Sequence, residues 1–107
     1  MSFTARMNVE NGVVTIHLVG ELDARSAPRL NELVNQAAGH TPSRLVLLMS
    51  ELTYMASAGL RSLVFAHQKM PRQVEIVLVG TRPEVAETIR LTGFDRSVTM
   101  QETVEAS

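Results

Sequence analysis

Met55-Ala56-Ser57-Ala58-Gly59 places a serine two residues before a glycine, where an apolar segment gives way to a helical one. An exposed serine on a strand-to-helix turn is the setting of a nucleophile elbow, but the first glycine of G-x-S-x-G is missing. A hydrolase of that kind also needs an acid and then a histidine later in the chain. Here the only later histidine is His67, on the same helical segment, and Asp95 follows it. The order fails, and 107 residues are too few for that fold. His17, His40 and His67 show neither H-x-x-x-H nor H-E-x-x-H spacing, and cysteine is absent, so no metal site is expected. His67 reads as a helix residue at the edge of the core, and His17 as a half-exposed strand residue. Glu21 and Asp23 are neighbouring carboxylates without a catalytic partner, and Asp23 also suits bracing a helix start. No phosphate-binding glycine loop is present, so no nucleotide cofactor is expected. The six methionines are scattered and read as core filler. An enzyme is not expected.

Ser57 remains, with two readings. The simpler is a helix N-cap whose hydroxyl accepts an otherwise unpaired N–H. The sharper is a phosphorylation switch. Phosphate at a helix N-terminus meets free N–H groups and the positive end of the dipole, so the domain itself tolerates it. Phosphoserine adds roughly −1.5 to −2 charges at neutral pH. A partner packed over that spot must bury the charge, and an uncompensated buried charge costs ~3–5 kcal/mol. At ~1.4 kcal/mol per decade, binding weakens on the order of a hundred- to a thousand-fold. The fold survives while the complex does not.

The elements that must position this serine are legible from periodicity. Phe3, Ala5, Met7 and Val9 alternate with polar residues, the period of a strand. Asn11-Gly12 follows, a strong type I′ hairpin signal. With the turn there, Val9 faces Val14, Met7 faces Ile16 and Ala5 faces Leu18, all on one side, while Arg6 meets His17 and Asn8 meets Thr15 on the other. After Gly20-Glu21-Leu22-Asp23 a helix is expected, with Ser26 as N-cap, Pro28 in the first turn and Gly39 just past the end. Ala27, Leu30, Leu33, Val34 and Ala37 form its apolar stripe. Leu45–Met49 reads as an interior strand covered on both faces or nearly so, and residues 50–56 as a connecting loop. Ser57-Ala58-Gly59-Leu60 opens a second helix, with Leu60, Leu63, Val64 and His67 on one face and Pro71 ending it. Residues 74–79 form another buried strand. Thr81-Arg82-Pro83-Glu84 fits a capping box before a third helix, which stops at Gly93-Phe94. Residues 98–100 suit a last strand, and residues 101–107 a frayed helical turn.

The order β-β-α-β-α-β-α-β predicts an α/β fold. Its mixed sheet has four to five strands, opens with an antiparallel hairpin and carries helices mainly on one face. At 107 residues this is expected to be one domain spanning 1–107, with 45% hydrophobic and 20% charged residues, an ordinary globular composition. A net charge of −1 gives no basic excess for nucleic acid. The longest aliphatic run, Leu45–Met49, is far short of the ~20 residues of a membrane span. No signal-peptide core precedes the hairpin, and a cytoplasmic location is expected.

At Gly20-Glu21-Leu22-Asp23, Leu52-Thr53-Tyr54-Met55-Ala56-Ser57-Ala58-Gly59-Leu60-Arg61 and Leu91-Thr92-Gly93-Phe94 the chain resembles a STAS domain of the bacterial anti-sigma factor antagonist type. The resemblance implies a partner, an anti-sigma factor with a serine-kinase domain of ATPase fold, bound so that the sigma factor is freed. It implies phosphorylation of the serine two residues before the glycine, Ser57, and restoration by a metal-dependent serine phosphatase. The implied binding surface comprises Glu21, Asp23, Met55, Ala56, Ser57, Ala58, Gly59, Leu60 and Arg61, on a monomer or weak dimer. The family commonly carries an acidic residue or serine at the position of Ala56, and an aspartate at that of Leu48. The alternative is a STAS subunit that binds constitutively, for example in a lipid-transport ATPase complex.

Overall fold

Alternation and one tight turn build the first layer. In the computed structural model, which describes residues 2–103, β1 (Phe3–Glu10) pairs antiparallel with β2 (Val13–Leu22). Val9 faces Val14, Met7 faces Ile16 and Ala5 faces Leu18, in the expected register. Asn11 and Gly12 both take positive φ, +52° and +78°, as a type I′ turn requires.

The chain continues through α1 (Ala27–Gly39), β3 (Arg44–Met55), α2 (Ser57–Lys69), β4 (Glu75–Val79), α3 (Pro83–Thr92), a 3-10 turn (Phe94–Arg96) and β5 (Thr99–Gln101). The sheet is mixed, with spatial order β1-β2-β3-β4-β5; every pair after the hairpin is parallel. Each crossover steps the same way, so right-handed connections bring all three helices to one face. Leu30 and Val34 of α1, Leu63 of α2 and Ile89 of α3 share one core with Ile16, Leu47 and Leu78 of the sheet.

The opposite face carries no helix. The cross-strand rows Asn8-Thr15-Val46-Val77-Thr99 and Arg6-His17-Leu48-Val79-Gln101 lie there. Val46 and Leu48 are only half-buried, which corrects the expectation that β3 is covered on both faces. The continuous aliphatic run of β3 fills both faces with apolar side chains, but the connections shield only one.

Some boundaries differ from expectation. Residues 50–55 are strand rather than loop. Gly39 is the last residue of α1, and the positive φ falls at Thr41 (+45°). The capping box at Thr81–Glu84 does not form: Arg82 is the N-cap of α3, no side chain caps it, and the Thr81 hydroxyl oxygen is buried without a partner among the described residues. Pro83 at the first helical position fixes the entry in its place. Gly93 ends α3 in the left-handed conformation (φ +81°), its N–H donates to Arg90 O at 3.0 Å, and Phe94 turns into the core. The expected frayed turn lies outside the described residues from 104 onward; before it, Gln101 closes β5.

Candidate functional site

The site forms where β2 and β3 run past the rest of the sheet. β4 pairs with β3 only as far as Leu48, while β2 and β3 stay paired to Leu22 and Met55. Two register shifts, between His17 and Val19 and between Gly20 and Glu21, each add a residue to β3. These bulges break the two-residue period: after Leu47 and Met49, the next buried positions are Leu52 and Met55. A segment without alternation reads as a loop, which is why 50–55 is misread from sequence. Thr53 clips the irregular stretch by donating its hydroxyl to Gly20 O at 3.1 Å.

The register sets Glu21 beside Tyr54 and Leu22 beside Met55. The Gly20–Asp23 segment and the start of α2 are therefore adjacent, although more than thirty residues separate them in sequence. The Ala56 N–H donates to Leu22 O at 2.9 Å and locks the two strand ends together.

Ala56 is the N-cap of α2, in extended conformation, and its carbonyl accepts from Gly59 N–H (2.9 Å) and Leu60 N–H (3.1 Å). Ser57 is thus the first helical residue, not the N-cap. It is exposed, its hydroxyl makes no hydrogen bond among the described residues, and no side chain caps the helix. The first turn contains no acidic residue. An alanine methyl at the N-cap leaves the positive end of this helix open.

Gly59 sits beneath. A Cβ there would lie 2.7 Å from Leu22 O and 2.8 Å from both Leu22 Cγ and Met55 Cγ. Only glycine lets the first turn of α2 rest directly on the strand ends. Met55 and Gly59 are buried and position the surface. Ala56, Ala58 and Leu60 are half-buried, and Ser57 and Arg61 are exposed along the rim.

Glu21 and Asp23 form the acidic side. Asp23 Oδ1 accepts from the Arg25 N–H (2.9 Å) and the Ser26 N–H (3.2 Å). In return the Asp23 N–H donates to Ser26 Oγ (2.8 Å), whose hydroxyl donates to Glu21 O (2.9 Å). Asp23 therefore caps the turn before α1; Ser26 is the N-cap residue of α1, as expected, but its hydroxyl returns the bond to this turn and caps no helix N–H. The backbone N–H of Ser26, above all, holds the Asp23 carboxyl below its ordinary value of 3.8; partial desolvation opposes the shift, and the Arg25 N–H adds to it. Beside this turn lies a cavity of about 290 Å³ lined by Phe3, Glu21, Asp23, Arg25, Ser26 and Arg29.

Residue type and spacing alone do not mark Tyr54 as a site residue. It is 51% exposed and stands next to Glu21 on the paired strand. Its signal in the sequence is a lone aromatic in a run that otherwise buries its large apolar residues.

Ser57 has no base beside it. His17 Nε2 pairs with Glu51 at 2.8 Å on the open sheet face, His40 follows α1 and precedes the start of β3, the opposite end of that strand from Ser57, and His67 is ten residues further along α2, roughly 15 Å along the axis. Among the described residues no three of His, Asp and Glu cluster to hold a metal ion, and no helix is long and apolar enough to cross a membrane.

The chain as a whole has counterparts among known proteins. The chain is 27% identical over 96 residues to the anti-sigma-F factor antagonist RsfB of Mycobacterium tuberculosis, covering 90% of this chain and 79% of that one. It is 31% identical over 82 residues to an anti-sigma-B factor antagonist of Listeria monocytogenes, covering 76% and 72%. The crystal structure of an anti-sigma factor antagonist from Mycobacterium paratuberculosis superimposes with a TM-score of 0.88 at 26% identity, covering 96% of this chain and 88% of that one. The model of the STAS domain matches residues 4–107, and the chain belongs to the STAS domain family.

Proposed function

We propose that this chain is an anti-sigma factor antagonist: a non-enzymatic binding domain of the cytoplasm that docks on an anti-sigma factor and is released by phosphorylation of Ser57. The docking surface is the rim made by Glu21, Asp23 and Tyr54 on the strand ends and by Ala56, Ser57, Ala58, Leu60 and Arg61 on α2. Met55 and Gly59 support it from below. The partner carries a serine-kinase domain of ATPase fold, and a serine phosphatase restores binding. Relatives named as anti-sigma factor antagonists support the partner class.

The observation that carries the switch is the hydroxyl of Ser57, exposed at the first position of a helix whose N-terminus no side chain caps. A phosphate there is stabilised by the helix in the free domain and becomes an unpaired charge once a partner covers it. On incubation with the cognate kinase and ATP, the intact mass rises by about 80 Da, and Ser57→Ala abolishes the gain. A wild-type mass that stays unchanged while the complex still forms overturns the switch and leaves the second reading, a constitutive binding subunit. That reading is favoured by the methyl group of Ala56 at the N-cap, which offers a kinase no polar group beside the serine.

A further inference from the structure

The opposite end of α2 from Ser57 opens on a cleft of about 610 Å³, within the ~300–1,000 Å³ range of small-molecule sites. The cleft exists because β5 is short. Its pairing with β4 begins at Val77–Thr99, so Glu75 and Ile76, paired with β3 on one side, have no partner strand on the β5 side. The N–H of Glu75 donates to Ser43 O at 3.3 Å, on the β3 side. Alternation along the strand then turns the N–H of Ile76 toward the gap.

Arg72 and Arg96 both line this cleft, and neither makes an ion pair among the described residues. The one acidic side chain in the lining is Glu75, and both its oxygens are occupied: Arg44 Nε donates to one at 3.1 Å and Thr99 Oγ1 to the other at 3.1 Å. The carbonyl end of α2 would repel an anion, but Lys69 in its last turn offsets that field. His67 is held edge-on against Phe94, with ring centroids 6.1 Å apart. The same lining includes the apolar side chains of Met70, Val74 and Val98.

We propose that this cleft binds a small organic anion, with one carboxylate or phosphate head held by Arg72, Arg96 and the Ile76 N–H and an apolar body lying on Met70, Val74 and Val98. The proposal is independent of the Ser57 rim and stands whether or not that rim docks an anti-sigma factor.

Titration of the intact ¹⁵N-labelled chain with phenyl phosphate, followed by amide chemical shifts, tests it. The expected result is saturable movement of Ile76 and of the 70–74 and 96–99 segments, with residues 57–61 unmoved. Arg72→Gln combined with Arg96→Gln weakens the binding about tenfold or more, while the thermal unfolding profile confirms the fold is intact. Inorganic phosphate, which supplies the head alone, and benzyl alcohol, which supplies the body alone, each bind more weakly than phenyl phosphate. The proposal is overturned by shifts that never saturate, by unchanged affinity in the double variant, or by inorganic phosphate binding as tightly as phenyl phosphate.

Discussion

Ser57 and Asp23 both stand at helix starts, yet their side chains are used in opposite ways. The oxygen of Asp23 is consumed by backbone N–H groups, whereas that of Ser57 is left free. A negative charge at position 57 therefore adds to an uncapped helix. Ser57→Asp keeps the unfolding free energy within about 1 kcal/mol of wild type, on the stabilising side, because the acid meets the positive end of α2. The same substitution weakens binding of the proposed anti-sigma factor partner tenfold or more, read by titration calorimetry. Comparable loss of stability in the free domain would instead place the effect in the fold. For Asp23 the dependence runs through pH. Its carboxyl is held below 3.8 in the folded chain, so its contribution is complete above the ordinary carboxylate range and is lost as pH falls through the lowered value. Asp23→Asn is less stable than wild type at neutral pH, and the difference narrows on acidification below pH 3.8, measured by urea unfolding across pH. Ser57 was legible because a serine before a small-residue helix start is visible in one dimension. The bond network of Asp23 was not, since Ser26, three residues on, is an equally good N-cap by residue type.

The decisive element is the long pairing of β2 with β3, which carries the Gly20–Asp23 segment to the tip of α2. The sequence disclosed the hairpin register residue by residue, since alternation and Asn11-Gly12 agree on it. It concealed the second half of β3, because two bulges shift the buried positions out of period. Gly59 shows what this junction demands. On helix propensity alone, Gly59→Ala should stabilise α2 by up to ~1 kcal/mol. The new methyl would lie 2.7 Å from the Leu22 carbonyl oxygen, a backbone atom tied to Ala56 and unable to yield cheaply. Crowding wins: the variant loses ~1–3 kcal/mol in chemical denaturation. It also binds the partner less tightly, because α2 is lifted from the strand ends. A stabilised variant would mean that α2 rests less closely on Leu22 than the structure shows.

Across the whole molecule, the one-sided placement of the helices divides neighbouring residues of the same type. Leu47 faces the core at 1% exposure, while Leu48 lies half-buried on the helix-free face. Leu47→Ala is expected to cost ~2–5 kcal/mol and Leu48→Ala no more than half as much, compared by urea titration. Equal losses would mean that something covers the open face. Strand spacing and crossover handedness made the layer order readable in advance; hydropathy alone, which scores the two leucines identically, did not separate them. The spatial order β1-β2-β3-β4-β5 repeats the order of synthesis. Every strand after the first is laid against an edge that already exists, and none must be threaded between two that are already paired. A growing polypeptide can thus dock each new segment as it leaves the ribosome, without first undoing what came before.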